Sequence, residues 1–280
     1  MRRVDILTRE EVLERLQNTI KEGRAIIGTG SGIGLAAVCA ENGGVDLIGV
    51  ATSSYFRMAG RGALSGVLSF ASANDIVLRL GREIIPVAPK TPVLANLCGT
   101  DPLHPMHLLL REVKDLGFVG IQNFPTVGII DGNFRLALEE TGMSFSREID
   151  MVRVAREMDL LTCPYVFNED QAIEMTRAGA DLIVPHMGIT TKGHGGGQTA
   201  ISLDEAVKRV QAMGEAARSV KPDILVLCHG GPIATPEEAR YIIDNAKGVH
   251  GFFGGASNDV LAAEPAMTSF IRQLKEIKLA

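Results

Sequence analysis

Short, continuously apolar runs recur along this 280-residue chain, each leading into a Gly-rich or polar segment and then a helical pattern. They cover residues 25–28, 47–50, 93–97, 119–123, 162–167, 182–185, 224–228 and 251–253. A strand with one face in water alternates apolar and polar residues; an unbroken apolar run belongs to a strand covered on both faces, the habit of parallel sheets. Eight such runs separated by helices is the number a closed (β/α)8 TIM-type barrel requires, and such barrels typically take ~250 residues. A doubly wound open sheet is the architectural alternative, but it would use fewer strands and leave more chain for a second domain. No polar or Pro/Gly-rich linker divides the sequence, so one barrel domain over residues 1–280 is the expectation.

The helices between the runs announce their starts. Ser202-Leu-Asp-Glu205 and Thr235-Pro236-Glu-Glu238 are capping-box patterns, and Pro236 occupies a first helical position, where its missing N–H costs nothing. Asn168-Glu-Asp-Gln171 is a start of the same kind, and after Ser146 one helical face collects Ile149, Val152, Ala155 and Met158.

A formal charge of −5 and the lack of any basic stripe argue against a nucleic-acid partner. Arg57 and Arg61 read as solvated loop charge, with an anion contact as the other reading. Cys39, Cys98, Cys163 and Cys228 follow no disulfide-framework spacing and read as reduced, buried small hydrophobes, which suits a cytoplasmic location. The opening MRRVDILTREEVLERL has acids inside its apolar stretch, unlike a signal peptide, and no run nears the ~18 apolar residues of a membrane span.

Gly28-Thr-Gly30-Ser31-Gly32-Ile-Gly34 follows the first run and invites a dinucleotide reading that its spacing refuses. A GxGxxG match from Gly28 needs glycine where Ile33 stands, a match from Gly30 needs it where Leu35 stands, and no acid closes the second run. The segment still offers backbone N–H groups at a helix start, suited to a carboxylate or phosphate. His229-Gly230-Gly231-Pro232 and Gly254-Gly255-Ala-Ser257-Asn258 follow the seventh and eighth runs, where barrels often build a phosphate site. Gly193-His194-Gly-Gly-Gly197 reads either as a mobile loop that carries Lys192 and His194 onto a bound anion or as an ordinary flexible connection.

Polar residues at the strand ends are the catalytic candidates. They are Asn96 and Asp101, Gln122 and Asn123, His186, and His229, with the two histidines best placed for acid–base work near neutral pH. Asp101 precedes Pro102 and is equally suited to capping a turn. Cys228, His229 and His186, or His104 with His107, lack the close spacing of a metal signature.

With these motifs placed, the chain resembles the phosphoenolpyruvate hydrolase-like barrel family along nearly its full length. The residues that carry the resemblance are Gly28 to Gly34, Ala95-Asn-Leu-Cys-Gly-Thr-Asp101, Gly120-Ile-Gln-Asn-Phe-Pro-Thr126, Pro185-His186, Gly193 to Gly197, His229-Gly-Gly-Pro232 and Gly254-Gly-Ala-Ser-Asn258. The resemblance implies a TIM-type barrel, often a homo-oligomer, with related domains inside larger plant and microbial proteins. It also implies a place beside enzymes that handle oxaloacetate-, phosphonopyruvate- or isocitrate-like acids with magnesium. Those enzymes show Asp-x-Asp at the third strand and an acid after the fourth; here Asn96-Leu-Cys98 and Gln122-Asn123 stand instead.

The functional expectation is an enzyme acting on a small phosphorylated or phosphonylated keto or enol acid. Gly230, Gly231, Gly254, Gly255 and Ser257 would hold the phosphorus group, and Gly28, Gly30 and Ser31 the carboxylate. His186 or His229 would move the proton while Asn96, Gln122 and Asn123 orient substrate or stabilise an enolate. The alternative is a small-anion sensor or interaction module without chemistry. A lysine Schiff-base lyase ranks below both, since no lysine ends a run.

Overall fold

The computed structural model describes residues 6–193 and 195–279. Its strands are β1 (Ile26–Ser31), β2 (Leu47–Val50), β3 (Val93–Leu97), β4 (Gly120–Asn123), β5 (Leu161–Thr162), β6 (Tyr165–Val166), β7 (Leu182–Pro185), β8 (Leu225–Cys228) and β9 (Gly251–Gly254). Every neighbouring pair is parallel, in the order β5-β4-β3-β2-β1-β9-β8-β7-β6. The helices are α1 (Arg9–Lys21), α2 (Gly34–Asn42), α3 (Thr52–Met58), α4 (Ala73–Ile84), α5 (Met106–Leu116), α6 (Gly132–Glu140), α7 (Phe145–Glu157), α8 (Glu169–Arg177), α9 (Leu203–Arg218), α10 (Pro236–Asn245) and α11 (Val260–Lys275).

The fifth apolar run is two strands, and the break lets the sheet close. Cys163 and Pro164 separate β5 from β6. Cys163 N still donates to Ile121 O on the β4 side (3.1 Å), whereas Pro164, with no N–H of its own, turns its carbonyl to accept from Val184 N on the β7 side (2.9 Å). The two ends of the ladder are therefore consecutive pieces of one chain segment. Across the remaining gap a side chain imitates backbone: Tyr165 N donates to Asn123 Oδ1 (2.7 Å), and Asn123 Nδ2 donates to Tyr165 O (3.3 Å).

Asn123 was expected at the site of chemistry, but it points out of the barrel towards α7. There Glu148, buried in that helix, accepts from Asn123 Nδ2 (2.6 Å), Thr126 Oγ1 (2.7 Å) and Val127 N (2.8 Å). Burial raises the Glu148 carboxyl from 4.5 to about 7, against the lowering effect of these three bonds. Val152 and Ala155 of the same helix are buried as their spacing predicts, and Ile149 and Met158 are partly so.

Side-chain parity sorts the rest. Ile26, Leu47, Leu94, Leu161, Leu182 and Leu225 point into the barrel with Phe253, while Ile48, Val50, Ala95, Ile183, Val226 and Phe252 face the helices. Helix α1 closes the barrel floor with Val12 and Leu16, and its Arg9 grips Asp181 with Nε (2.8 Å) and Nη2 (2.5 Å). Gly28 is inward-facing, and a Cβ there would stand 2.2 Å from the Phe253 ring, so the ring occupies the space a side chain would need.

The capping box at Thr235 forms in both directions. At Ser202 only the hydroxyl half forms, because the Glu205 carboxylate turns to Arg209 (2.8 Å). Asn168 caps α8 by accepting from Gln171 N (2.8 Å). Helix α11 buries none of its residues. Cys163 and Cys228 are buried, whereas Cys39 is exposed and Cys98 half-buried, so only two of the four pack as small hydrophobes. Among the described residues no helix is long and apolar enough to cross a membrane.

Two outcomes test the closure. Asn123→Ala strands the Tyr165 N–H and one carboxylate partner, and should cost roughly 2–4 kcal/mol in urea unfolding. Glu148 holds its proton more tightly when folded than its ordinary 4.5 allows, so its contribution to stability falls as pH rises from 4.5 to about 7. Unfolding midpoints compared at about pH 5 and about pH 7.5 should show that fall in the parent and lose it in Glu148→Gln.

Candidate functional site

The pocket at the C-terminal mouth of the barrel is the continuation of its interior. One period beyond the inward residues of seven of the nine strands come Gly30 after Gly28, Ala51 after Gly49, Asn96 after Leu94, Phe124 after Gln122, His186 after Val184, His229 after Leu227 and Gly255 after Phe253. All of these outer residues line the pocket. Tyr165 and Phe253 form its floor, with the Tyr165 ring 5.4 Å from His186 and 4.9 Å from His229, centre to centre. Ile189, Thr190, Lys192, Gly195 and Gly196 reach over the opening from the connection after β7.

The two imidazole centres lie 4.6 Å apart, and the backbone sets each ring differently. His186 Nδ1 accepts from Gly188 N (3.0 Å), so the neutral ring carries its proton on Nε2. His229 Nδ1 lies 2.5 Å from the carbonyl oxygen of Phe253, an acceptor only, so this ring is protonated on Nδ1 and its Nε2 keeps a lone pair. Both rings are held neutral. Burial, then the neighbouring His229, drives the His186 value well below 6.5; burial and the charge of Arg57 lower His229 to about 4, although the Phe253 bond acts the other way. The pair therefore offers one N–H donor and one bare nitrogen base.

Arg57 is buried on the pocket wall, a correction to its reading as solvated charge; Arg61 is exposed. Its Nε donates to both Asp259 oxygens (3.2 and 3.1 Å), and its Nη2 donates to Asp259 Oδ2 (2.7 Å) and Ser54 Oγ (2.8 Å). Deeper in, Asn96 Oδ1 and Gln122 Oε1 are buried with no donor among the described residues. Burial, and then the neighbouring Cys163, push the Tyr165 hydroxyl up, whereas Arg57, Asn96 and Gln122 act the other way. Those acceptors leave capacity for a hydroxyl or enol O–H.

The structure brings together His186, His229, Asn96, Gly30, Gly254 and Gly255 in one pocket. Gln122 lies just beneath it, and Gly28 packs under Phe253. The other expected site residues stand elsewhere. Ser31 faces outward and donates to Ile33 O (3.1 Å). Gly231, at φ +58°, places its N–H on Gly188 O (2.8 Å), and Gly230 is packed against the same carbonyl, so this loop locks onto the β7 loop and does not face a ligand. Ser257 lies in a groove on the barrel's flank beside Arg240 and His250. Asp101 accepts from Leu103 N (2.8 Å) and Asn74 Nδ2 (2.8 Å) and pairs with His104, which makes it a loop cap.

The helix start after the first glycine motif is likewise taken: Gly34 N donates to Glu83 Oε1 (2.9 Å). Lys192 pairs with Glu238 (2.6 Å), and His194 lies outside the described residues. Sequence reasoning missed Ser54 and Tyr165 as pocket residues, and Asp259 as the partner of Arg57. For Tyr165 the period-two count from Leu161 and Cys163 is the signal that finds it.

A model of a family described as phosphoenolpyruvate hydrolase-like matches residues 11–277. The ToMV susceptible protein tm-1(GCR26) of Solanum lycopersicum is 50% identical over 268 residues, 96% of this chain but 36% of that protein, so the chain spans about a third of this relative. Among solved structures, a phosphoenolpyruvate phosphomutase from Streptomyces platensis subsp. rosaceus aligns over 94% of this chain and 88% of its own (TM-score 0.64, 14% identity). A phosphonopyruvate hydrolase solved with oxalate and magnesium aligns over 96% and 87% (TM-score 0.63, 15% identity). At such identities the likeness concerns the fold, the (β/α)8 barrel seen here.

Nitrogen-15 spectra of labelled histidine provide the check on the ring assignments. His229 should show a protonated Nδ1 and a bare Nε2, and His186 the reverse, with His229 remaining neutral until pH nears about 4. An imidazolium signal from either ring at neutral pH would refute the assignment.

Proposed function

The chain belongs to the phosphoenolpyruvate hydrolase-like family, and from that premise we propose that its barrel-mouth pocket turns over a small keto or enol acid carrying a phosphoryl or phosphonyl group. The reaction class is hydrolysis or cleavage of a C–C or C–P bond. The observation that carries this reading is the wiring of the two histidines, a base and a donor set side by side over an apolar floor. His229 Nε2 takes the proton from the attacking water or from the substrate. His186 Nε2–H donates to the oxygen where negative charge develops, in a site where the lack of water strengthens that bond. Asn96 Oδ1 accepts from the substrate's hydroxyl or enol O–H.

Size and electrostatics agree with this. The cavity measures about 60 Å³, room for a small ligand. A base whose value is lowered to about 4 is fully available at neutral pH, though weaker as a base than an unperturbed imidazole. A second reading, a small-anion sensor within a longer protein, is favoured by one observation: the chain makes up only 36% of its tomato relative.

The test is a panel of phosphoenolpyruvate, phosphonopyruvate and oxaloacetate with the parent chain and His229→Ala. Turnover of one of them should fall about 10²–10⁴-fold in the variant while circular dichroism is unchanged. Equal turnover in the two proteins removes His229 from the chemistry. Saturable binding without turnover across the panel selects the sensor.

A further inference from the structure

We infer that the pocket grips the anionic end of its ligand through the Arg57 guanidinium and does so without a divalent metal. This rests on the small-acid reading of the pocket and concerns how that acid is held.

The donor set does not fit the magnesium found in the phosphonopyruvate hydrolase of like fold. Magnesium demands near-octahedral oxygen ligands, usually with one or two carboxylates. Among the described residues no group of three His, Cys, Asp or Glu side chains could hold a metal ion. The strand ends carry the amides Asn96 and Gln122 where acids would be needed. The carboxylate of Asp259 is already committed: Arg57 takes both oxygens, and Val260 N donates to Oδ1 (2.5 Å). His186 is unsuitable as well, because a ligating imidazole donates from its other nitrogen, whereas His186 Nδ1 accepts from Gly188 N. That leaves His229 Nε2, a single nitrogen.

Arg57 supplies a positive group in place of the cation. Its Nε and Nη2 are fixed by Asp259 and Ser54, while Nη1 has no hydrogen-bond partner among the described residues. The guanidinium stands beside the two glycines that bound the pocket: a Cβ on Gly30 or on Gly255 would lie 3.6 Å from Nη2, and the one on Gly255 would also lie 3.4 Å from His229 Cε1. Glycine at both positions keeps the Nη2 side of the guanidinium uncrowded, and Arg57 itself lines the pocket. The ion pair with Asp259 orients the fork in advance, so little ordering cost remains when an anion arrives. The same pairing weakens the long-range attraction, since the pair is neutral overall.

The experiment is calorimetric titration of the full chain with oxalate, and separately with inorganic phosphate, first in EDTA and then with excess magnesium. Oxalate binding alone marks a carboxylate subsite and phosphate binding alone a phosphoryl subsite; either supports the inference if it occurs in EDTA and changes by less than about twofold with magnesium. Arg57→Lys should then bind about tenfold more weakly, because an ammonium loses the planar fork. Binding that appears only with magnesium overturns the inference while leaving the small-acid reading intact. Unchanged affinity in a folded Arg57→Lys overturns the role of Arg57. Binding of neither anion under either condition overturns both the inference and the reading; the metal arm uses the parent protein, so it holds even where a variant fails to fold.

Discussion

Each strand turns successive side chains to opposite faces, and once the sheet is closed those faces become an inside and an outside that cannot be exchanged. Leu94 inside makes Ala95 outside and Asn96 inside again, so the residue that lines the pocket is decided by the packing of the core two positions earlier. The same rule carries Val184 to His186 and Leu227 to His229. Closure enforces it, and closure depends on a small patch at the fifth strand position, where Pro164 divides the run and the Asn123 amide stands in for a missing rung.

That rule also explains what could be read in advance. Six of the eight apolar runs mark their strands to within a residue, because burial on both faces writes itself directly into composition; β1 continues three residues past its run to Ser31, and the fifth run holds two strands. The two histidines and Asn96 are legible because they end runs on the inward parity. Asn123 and Ser31 were legible as polar strand-end residues but not as outward ones; the parity was there to be counted, and Asn123 sits one step off the inward Gln122. Arg57 and Asp259 could not be paired by any pattern, since 202 positions separate them and neither ends a strand. Glu148 was hidden for a different reason. A lone acid on the buried face of a helix looks like an error in amphipathicity until the Thr126 hydroxyl and Val127 N–H that it holds are known.

The pocket's electrostatic character follows from burial. Imidazoles sealed between Tyr165, Phe253 and the β7 loop cannot afford a charge, so their tautomers matter more than their titration, and main-chain atoms choose those tautomers. The two cationic side chains that line the pocket are each balanced, Arg57 by Asp259 and Lys192 by Glu238. A neutral, preorganised site of this kind selects ligands by the direction of hydrogen bonds more than by net field.

The bond between Arg57 and Asp259 has a consequence for how the protein is made. It joins the helix after the second strand to the residue just beyond the last one, so the pocket wall cannot exist until nearly the whole barrel has been laid down. A chain still emerging from the ribosome would hold both histidines before it held the guanidinium in place. The pocket wall is thus finished last, as a signature that the ring has been completed.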